Sequence, residues 1–422
     1  MRHRIVAVTI FAAAAFAVFS GLLLAARLRP AQVQSLAGTS FAALPSERGG
    51  QDVTGPYDVV ADWPKPLNQL PGHEKWTWGA VESVFAESPN RVFILERGVI
   101  PTMSRPAEVP YPAVGPGISF PVAQLPFRNA SVGPVTAGGN PVWHGTMGVD
   151  ALWEDCVVVV DAAGNITERW NQWDSLLKRP HFITINPYDP EKHVWIVDDQ
   201  GHAVYEFTHD GKQLVKTLGT PGVPGDDATH FNRPTFINWL PDGTMFVTDG
   251  YGNTRVVKFD KDGKYLMSWG KRATPPNDTR PGYFDAVHGV VYDTQTKRLY
   301  VTDRSDRRIE EFDVNGKFLD QWSTGKRSTP QVLYLSADRH IWIADGTTSK
   351  IIKYDMDGHY LYSWGSFGNW PGAMWNVHGM SVDQEGNLYL AEVNNGRAEK
   401  FHPRPGANPA YMVGQRVFAA WH

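Results

Sequence analysis

Five segments of this 422-residue chain repeat one pattern, and that repeat limits the fold more than any other feature of the sequence. In each copy, a residue at a matched position is followed 14 to 17 residues later by an acidic residue that closes an apolar stretch. The matched residues are His181, Thr235, His288, Gln331 and His378, and the closing acids are Asp198, Asp249, Asp303, Asp345 and Glu392. Histidine therefore occupies every second copy.

Each copy has the anatomy of four short strands joined by turns. Tight Asp-Gly or Asn-Gly turns recur between the last two strands, because two-residue hairpins need the positive φ angles that these residues supply. They are Asp210-Gly211, Asp262-Gly263, Asn315-Gly316 and Asp357-Gly358. A four-stranded unit of roughly 40 to 50 residues, repeated in this way, is typical of a β-propeller. We therefore predict an all-β fold, a propeller with six blades.

The predicted propeller spans residues 76–422. Blade 1 begins near Trp76, runs through residues 91–97 and is completed by residues 156–170, after a long Pro- and Gly-rich insertion at 99–150. Blades 2 to 6 begin near residues 178, 232, 285, 329 and 375, and residues 411–417 are predicted to supply a last strand that closes the ring. A loop as long as the insertion is usually functional or disordered.

The N-terminal residues 1–29 differ in character from the rest of the chain. Arg2 and Arg4 precede an apolar run over residues 5–26, and Arg27 and Arg29 follow it. This pattern indicates a signal peptide, and the run is also long enough for a membrane anchor. Both interpretations predict an exported protein, periplasmic or extracellular, and the second attaches it to the membrane. Residues 30–75 are rich in Pro, Gly and Ser, which favours a linker or a strap over the domain.

Charge and cysteine content narrow the class of protein further. The formal net charge is −4, with Lys and Arg scattered along the chain, so nothing indicates a nucleic-acid surface. Cys156 is the one cysteine, which excludes an internal disulfide framework. It lies in an apolar strand, where a buried, inert thiol is expected.

The alternating histidines predict a metal centre. In a six-fold ring, alternate blades lie about 120° apart, so His181, His288 and His378 would point to one place near the central channel. Three neutral imidazoles suit Zn²⁺ and leave a fourth position for water or substrate. Iron, manganese and copper stay open as alternatives. The competing interpretation is a ring of structural histidines without a metal.

The strand-end acids, with Glu96 added for blade 1, are predicted to bond neighbouring backbone amides, because they recur in every blade. The residues that follow them differ, as a functional site requires, and they include Arg97, Tyr251 and Arg304. A tyrosine beside two arginines and a cation is expected to ionise more readily and to serve as a general base. A stacked aromatic ring with two surface arginines is the alternative.

The segment Asp-Gly-Tyr-Gly-Asn-Thr-Arg-Val-Val-Lys-Phe at residues 249–259 resembles an NHL repeat. More specifically, the chain resembles peptidyl-α-hydroxyglycine α-amidating lyase over most of residues 76–402, most strongly over residues 231–312. The resemblance implies a six-bladed propeller with zinc held by His181, His288 and His378. It also implies Tyr251 as the base, with Arg97 and Arg304 near the substrate. The implied reaction cleaves a carbinolamide C–N bond to an amide and glyoxylate, while zinc polarises the substrate hydroxyl or carboxylate.

Some positions depart from this family's pattern. The family has Met-Pro-His-Asp around its third histidine, whereas this chain has Asn376-Val377-His378-Gly379. The missing carboxylate at Gly379 puts the family's structural Ca²⁺ in doubt, and Asn376 alters the pocket beside the metal. The 99–150 insertion also looks unlike the family. No hydroxylating partner domain is present in this sequence, so the substrate is expected to come from elsewhere.

Three functions are weighed on these residues. The first is a zinc-dependent lyase, or a related hydrolase or hydratase, acting on a small-molecule or peptide substrate. The second is a non-catalytic NHL propeller that binds a peptide, glycan, protein or membrane partner through its rim. The third is a calcium-dependent lactonase-type propeller, which needs carboxylates and amides in the channel where this chain has histidines. The sequence leaves the oligomeric state open.

Overall fold

The computed structural model describes residues 51–102, 109–110, 119–120, 151–274, 278–417 and 420, without side chains at 51–52, 109–110 and 119–120. All of them belong to one compact unit that covers residues 43–422. The predicted signal or anchor at 1–29 and most of the 99–150 insertion lie outside the described residues.

Six four-stranded antiparallel sheets form the blades, as predicted. Blade 1 comprises Val81–Ser88, Arg91–Glu96, Val157–Val160 and Ile166–Arg169; blade 2 comprises Pro180–Ile185, Val194–Asp198, Ala203–Phe207 and Leu214–Leu218. Blade 3 comprises Pro234–Trp239, Met245–Asp249, Arg255–Phe259 and Tyr265–Trp269; blade 4 comprises Val287–Asp293, Arg298–Asp303, Arg308–Phe312 and Phe318–Ser323. Blade 5 comprises Pro330–Leu335, Ile341–Asp345, Lys350–Tyr354 and Tyr360–Trp364. Blade 6 comprises Val377–Val382, Leu388–Glu392, Arg397–Pro403 and Tyr57–Val60.

The innermost strands of blades 1 to 6 are Val81–Ser88, Pro180–Ile185, Pro234–Trp239, Val287–Asp293, Pro330–Leu335 and Val377–Val382. Each contacts the innermost strands of both neighbouring blades. The six inner strands therefore form a closed ring. Apolar side chains of the first three strands are buried between successive blades, whereas the outer strands are partly exposed. The hydrophobic core is thus divided into layers between the blades, and polar side chains can reach the space inside the ring.

The ring is closed by Tyr57–Val60, which pairs with Arg397–Pro403 as the outer strand of blade 6. The prediction of a closing strand at residues 411–417 is wrong. Tyr411 ends the short 3-10 helix Pro409–Tyr411, and the described residues after it form no strand. Tyr57 explains why Tyr57–Val60 is the closing strand, since its ring packs against Trp364 and Phe401 in the core of blades 5 and 6. Part of the segment predicted as a linker or strap is therefore a blade strand.

The remaining elements lie around the blades. Trp76–Trp78, predicted as the start of blade 1, instead pairs with Val99–Pro101 in a separate two-stranded sheet. Lys271–Arg272 pairs with Tyr283–Phe284, and Val109–Pro110 with Ser119–Phe120. The described helices are Gln51–Thr54 and the 3-10 turns Leu67–Gln69, Asn171–Trp173 and Pro409–Tyr411. Among the described residues, no helix has the length and apolar character needed to span a bilayer.

The hairpin glycines join neighbouring blades. Gly211, Gly316 and Gly358 have φ angles of +67°, +76° and +81°, as Asp-Gly and Asn-Gly turns require. A Cβ atom on them would lie only 2.2, 2.7 and 2.4 Å from the rings of Trp170, Trp269 and Trp322, respectively. Each tryptophan belongs to the preceding blade. These glycines are therefore needed both for the turn and for the close packing of one blade on the next.

Candidate active site

Three inner strands bring their histidines to one point inside the ring. His181, His288 and His378 are at most 4% exposed, and each offers one ring nitrogen so that all three nitrogens lie within 4.8 Å of one another. Each histidine lies at a register shift of its strand, where a β-bulge interrupts the regular pairing. A bulge redirects a side chain that regular alternation would place between two sheets. The convergence predicted from the repeat is thus present, and it can hold a metal.

The blade that follows each histidine fixes the orientation of its ring. Nδ1–H donates to the backbone carbonyl of Thr235 for His181 (2.9 Å), of Gln331 for His288 (2.7 Å) and of Glu82 for His378 (3.1 Å). These acceptors are the matched residues of blades 3, 5 and 1, so Glu82 completes the series for blade 1. Each Nε2 atom is then left with a lone pair directed inward. Anchoring of this kind is typical of metal-bound histidine.

The three Nε2 atoms of the centre are hydrogen-bond acceptors, and such atoms can bind a cation. Because the three Nδ1 atoms carry protons, the neutral rings have no proton on Nε2. Burial, reinforced by nearby positive charge, lowers the pKa of His181 and His288 well below the ordinary value, and burial also lowers the pKa of His378. Nε2 of His288 and Nε2 of His378 are nevertheless only 3.2 Å apart.

The Tyr251 hydroxyl is the one proton donor among the described residues that contacts these Nε2 atoms. It lies 2.9 Å from Nε2 of His181 and 2.9 Å from Nε2 of His288, but it has a single proton to donate. At least two of the three lone pairs therefore lack a donor. A divalent metal such as Zn²⁺, which binds neutral imidazole nitrogen, would satisfy all three.

Tyr251 follows the closing acid of blade 3 and is held from two sides. Nη1 of Arg304 donates to its hydroxyl oxygen (3.0 Å), and the guanidinium groups of Arg304 and Arg233 lie 4.9 and 5.0 Å from its ring centre. Burial raises the pKa of Tyr251 despite the opposing charge of Arg304. The protein groups around Tyr251 therefore make its hydroxyl harder to ionise, whereas the sequence predicted easier ionisation.

The loop that carries Tyr251 lies directly against the strand of His288. A Cβ atom on Gly250 would fall 1.6 Å from the carbonyl oxygen of Val287, so no other residue fits between these two backbones. The tyrosine and the histidine of the next blade are thereby held in a fixed relation. The glycine in Asp249-Gly250-Tyr251 is explained by this close approach.

The two predicted arginines also line the site, in different settings. Arg97 is 1% exposed, and its Nη1 forms an ion pair with Oε1 of Glu82 at 2.5 Å. Oε2 of Glu82 lies 3.0 Å from Nδ1 of His378, so this carboxylate joins the arginine to the histidine centre. Arg304 donates to Oε1 of Gln331 (3.1 Å) as well as to Tyr251.

A cavity of about 640 Å³ opens beside His378 and Tyr251, and its charge is strongly positive. It is lined by Arg97, Arg179, Arg233, Arg304 and Arg307, whereas Glu82 is the single carboxylate among its described lining residues. Arg179 and Arg233 were not predicted. Both lie two residues before the matched positions of neighbouring blades, in Arg179-Pro180 and Arg233-Pro234, and that shared spacing is the signal that could have found them. Asp199, which contacts both, directly follows the closing acid of blade 2.

The closing acids act as predicted in five blades. Asp198, Asp249, Asp303, Asp345 and Glu392 accept hydrogen bonds from backbone amides, including those of Arg179, Asn232, Asp285, Thr329 and Trp375. In each case the amide belongs to the segment that leads into the inner strand. Glu96 of blade 1 differs in degree, because the Gly79 amide that faces its carboxylate makes its 2.9 Å hydrogen bond to the Gly98 carbonyl. Burial and the neighbouring Asp155 and Asp174 raise the pKa of Glu96 well above the ordinary value.

Two departures from the family pattern have clear local consequences. A Cβ atom on Gly379 would lie 2.7 Å from Cα of Ser83 and 2.8 Å from the backbone nitrogen of Val84, so the neighbouring strand leaves no room for a carboxylate side chain. Asn376 has a φ angle of 62°, and its side-chain oxygen accepts a hydrogen bond from Gln331 at 3.1 Å. It is therefore a polar member of the cavity wall. Cys156 is buried, as predicted, in a hydrophobic cluster that includes Val157 and Leu177.

Fold and site together define a six-bladed β-propeller with a buried three-histidine centre inside its ring of inner strands. The protein is similar in sequence to the peptidylglycine α-amidating monooxygenase of Rattus norvegicus, with 30% identity over 191 residues, which cover 42% of this chain and 19% of that protein. It is also similar to the probable peptidyl-α-hydroxyglycine α-amidating lyase of Caenorhabditis elegans, with 32% identity over 155 residues, 37% of this chain and 41% of that protein.

These matches span less than half the length of either relative. The predicted resemblance to amidating lyases is thus confirmed at about 30% identity. No protein-family profile matches the chain. Among solved structures, a gluconolactonase of Xanthomonas campestris superposes with a TM-score of 0.51 and 12% identity, over 84% of this chain and 92% of that one. At this identity the likeness concerns the fold alone.

Proposed function

We propose that the protein is a metal-dependent carbon–nitrogen lyase of the peptidyl-α-hydroxyglycine α-amidating type. Its substrate would be a carbinolamide, in which an amide nitrogen is bound to a carbon that carries a hydroxyl and a carboxylate. The products would be the free amide and glyoxylate. The observation that carries the proposal is the set of three anchored, unprotonated Nε2 atoms beside one tyrosine hydroxyl. The similarity to named lyases supports the same reaction.

His181, His288 and His378 are the proposed metal ligands, with Zn²⁺ as the metal that this donor set favours. A bound zinc ion would supply Lewis acidity to the substrate and a positive charge that opposes the burial-raised pKa of Tyr251. Ca²⁺ has no proposed place, since the position of the family's acidic residue is Gly379.

Tyr251 is the proposed general base. It would accept the proton of the substrate hydroxyl, the C=O bond of glyoxylate would form, and the C–N bond would break. Tyr251 would return this proton to the amide nitrogen as it leaves, so the reaction needs neither water nor an oxidant. Arg304 would hold the phenol oxygen in place through its 3.0 Å hydrogen bond. Arg97 and Arg304 would bind the substrate carboxylate, for which guanidinium groups are well suited.

We also propose that the protein works outside the cytoplasm. The support is the basic and apolar composition of residues 1–29, which is that of a signal peptide or anchor. The exported domain would then take up hydroxylated substrate that another enzyme has produced.

The test of the metal is elemental analysis by plasma mass spectrometry, run on the wild type and on His288→Ala. About one zinc per chain is expected in the wild type, since the three histidines form one site. The variant should lose it. His340→Ala is the matched control, because His340 lies outside the histidine centre and contacts Asp338 instead. No transition metal in the wild type, even after incubation with zinc, would contradict the metal centre and favour a rim-binding propeller.

The test of the base is Tyr251→Phe, assayed by glyoxylate release from an α-hydroxyglycine peptide. The variant should keep its metal, because the phenol ring and its packing remain, and should lose about 100-fold or more in kcat. A variant that binds metal and retains wild-type kcat would rule out Tyr251 as the base.

A further inference from the structure

Arg179 and Arg233 form a second cationic feature in the cavity, apart from the two arginines assigned to the substrate carboxylate. Nη1 of Arg179 and Nη2 of Arg233 both contact Oδ2 of Asp199, at 3.1 and 2.9 Å. Asp199 is fully buried, whereas the two guanidinium groups reach the cavity. Two positive charges therefore share one negative charge, and the pair keeps an excess of positive charge on the cavity wall.

The two guanidinium groups also have unused donors. The Nε atoms of Arg179 and Arg233 are buried, and neither has a hydrogen-bond acceptor among the described residues. Buried donors usually have partners, and charged ones are costly to leave without them. These Nε atoms and Oδ1 of Asp199 are buried without a partner among the described residues, so an anionic group in the cavity would instead meet the exposed parts of the two arginine side chains, which are 16% and 34% exposed.

We propose that Arg179, Arg233 and Asp199 form a second anion subsite, which selects substrates with an acidic group in their acyl part. This inference rests on the proposed function. The preferred substrate is then a carbinolamide with two carboxylates: the one on the hydroxylated carbon, and another on the residue or acyl group joined to the amide. An α-hydroxyglycine preceded by glutamate has this chemistry. Asp199 positions both guanidinium groups through its Oδ2 atom.

The test compares two isosteric substrates, acetyl-Glu-α-hydroxyglycine and acetyl-Gln-α-hydroxyglycine, by the rate of glyoxylate release. The wild type is expected to prefer the glutamate substrate by about tenfold or more in kcat/KM, since hydrogen bonds to charged groups are the strong ones. In Arg179→Gln this preference should fall towards unity. Arg179→Lys retains the charge beside Asp199 and should keep part of it, which guards against a folding defect in the first variant.

Arg298→Gln is the control for the loss of one positive charge. Arg298 pairs with Glu311 in blade 4, away from the cavity, so the variant should keep the wild-type preference. Equal kcat/KM for the two substrates in an active wild type would overturn the subsite and leave the lyase function standing.

Calorimetric titration with glutarate and with butyrate separates the subsite from the reaction. The dianion should bind the wild type at least tenfold more tightly than the monoanion, and Arg179→Gln should reduce this difference. If no α-hydroxyglycine substrate is turned over but the difference persists, the proposed function fails while the subsite holds. Equal binding of the two acids would overturn the subsite.

Discussion

Glu310 shows at the scale of one residue how burial links charge to stability. Its carboxylate lies in the third strand of blade 4, where Oε2 accepts a hydrogen bond from Gly282 N–H (2.7 Å) and Oε1 lies 2.9 Å from Nη2 of Arg308. The side chain is fully buried. Burial raises the pKa of Glu310 to about 7, because these two contacts and the Arg308 charge do not offset the loss of hydration. Between the ordinary glutamate pKa and about pH 7, the folded protein therefore holds a proton that the unfolded chain has already released.

This difference predicts how stability depends on pH. Since the folded state binds the Glu310 proton below about pH 7 and the unfolded state only near the ordinary glutamate pKa, the free energy of unfolding should rise as the pH falls. Between pH 8 and pH 5.5 the contribution is about 2 kcal/mol. Urea unfolding at several pH values should show a smaller rise for Glu310→Gln than for the wild type. Glu191→Gln, which removes an exposed carboxylate, should follow the wild type, and equal slopes for all three would contradict the prediction.

At the same scale, the sequence revealed some site residues and concealed others. The histidines were visible because they recur at one position of a repeat, and Arg97, Tyr251 and Arg304 because they follow recurrent acids. Arg179 and Arg233 precede the matched positions, where no residue type recurs in all blades. Glu82 was missed because the insertion interrupts blade 1, so this blade lacks the repeat spacing that identifies the matched position in the other five. The pKa of Tyr251 depends on burial, which spacing in a sequence does not measure.

The strand Tyr57–Val60 is the element that completes the ring, and it lies outside every repeat. Its side chains explain why it is used. Tyr57 is fully buried against Trp364 and Phe401, and its hydroxyl oxygen accepts a hydrogen bond from Val413 N–H at 2.8 Å. One short strand thus ties the N-terminal side of the domain to blade 6 and to the C-terminal segment. No periodicity could have placed it, since a strand that occurs once has no second copy for comparison.

Replacing Tyr57 by alanine should destabilise the whole propeller. The change removes a buried aromatic ring and leaves the Val413 amide without its acceptor, for a loss of about 3 to 5 kcal/mol in the free energy of unfolding. Chemical denaturation followed by tryptophan fluorescence measures it. Asp58→Ala is the neighbouring control: Asp58 is exposed and its ion pair with Arg404 is a surface contact, so a loss below about 1 kcal/mol is expected. Similar losses for both variants would show that the strand does not close the ring.

For the whole molecule, the six repeats form a closed ring with three histidines that belong to alternate blades. A metal at this centre would connect blades 2, 4 and 6 directly and, through the Nδ1 hydrogen bonds, blades 3, 5 and 1 as well. The blade count and strand order followed from the repeat spacing, because the fold is one unit used six times. The source of the closing strand did not, because that strand occurs only once.

Metal binding at such a centre should stabilise the complete fold. A ligand that binds only the folded state adds about 2.7 kcal/mol when its concentration is a hundred times its Kd. Removal of the metal with a chelator should therefore lower the Tm by several degrees, and added zinc should restore it. Differential scanning calorimetry checks this. His288→Ala should have a lowered Tm that neither chelator nor zinc changes, whereas a Tm that is the same in all samples would argue against a shared metal centre.

The backbone carbonyls that anchor the three imidazoles come from Glu82, Thr235 and Gln331, and any amino acid offers such a carbonyl. The side chains at these three positions make different contacts: the Glu82 carboxylate pairs with Arg97 and also contacts Nδ1 of His378, the Thr235 hydroxyl is buried, and the Gln331 amide bonds to Arg304. The proposed metal centre would in this way depend on the backbone carbonyls, whereas the proposed substrate contacts would depend on the side chains. A lineage of such propellers could exchange specificities at three positions while inheriting an unchanged metal centre.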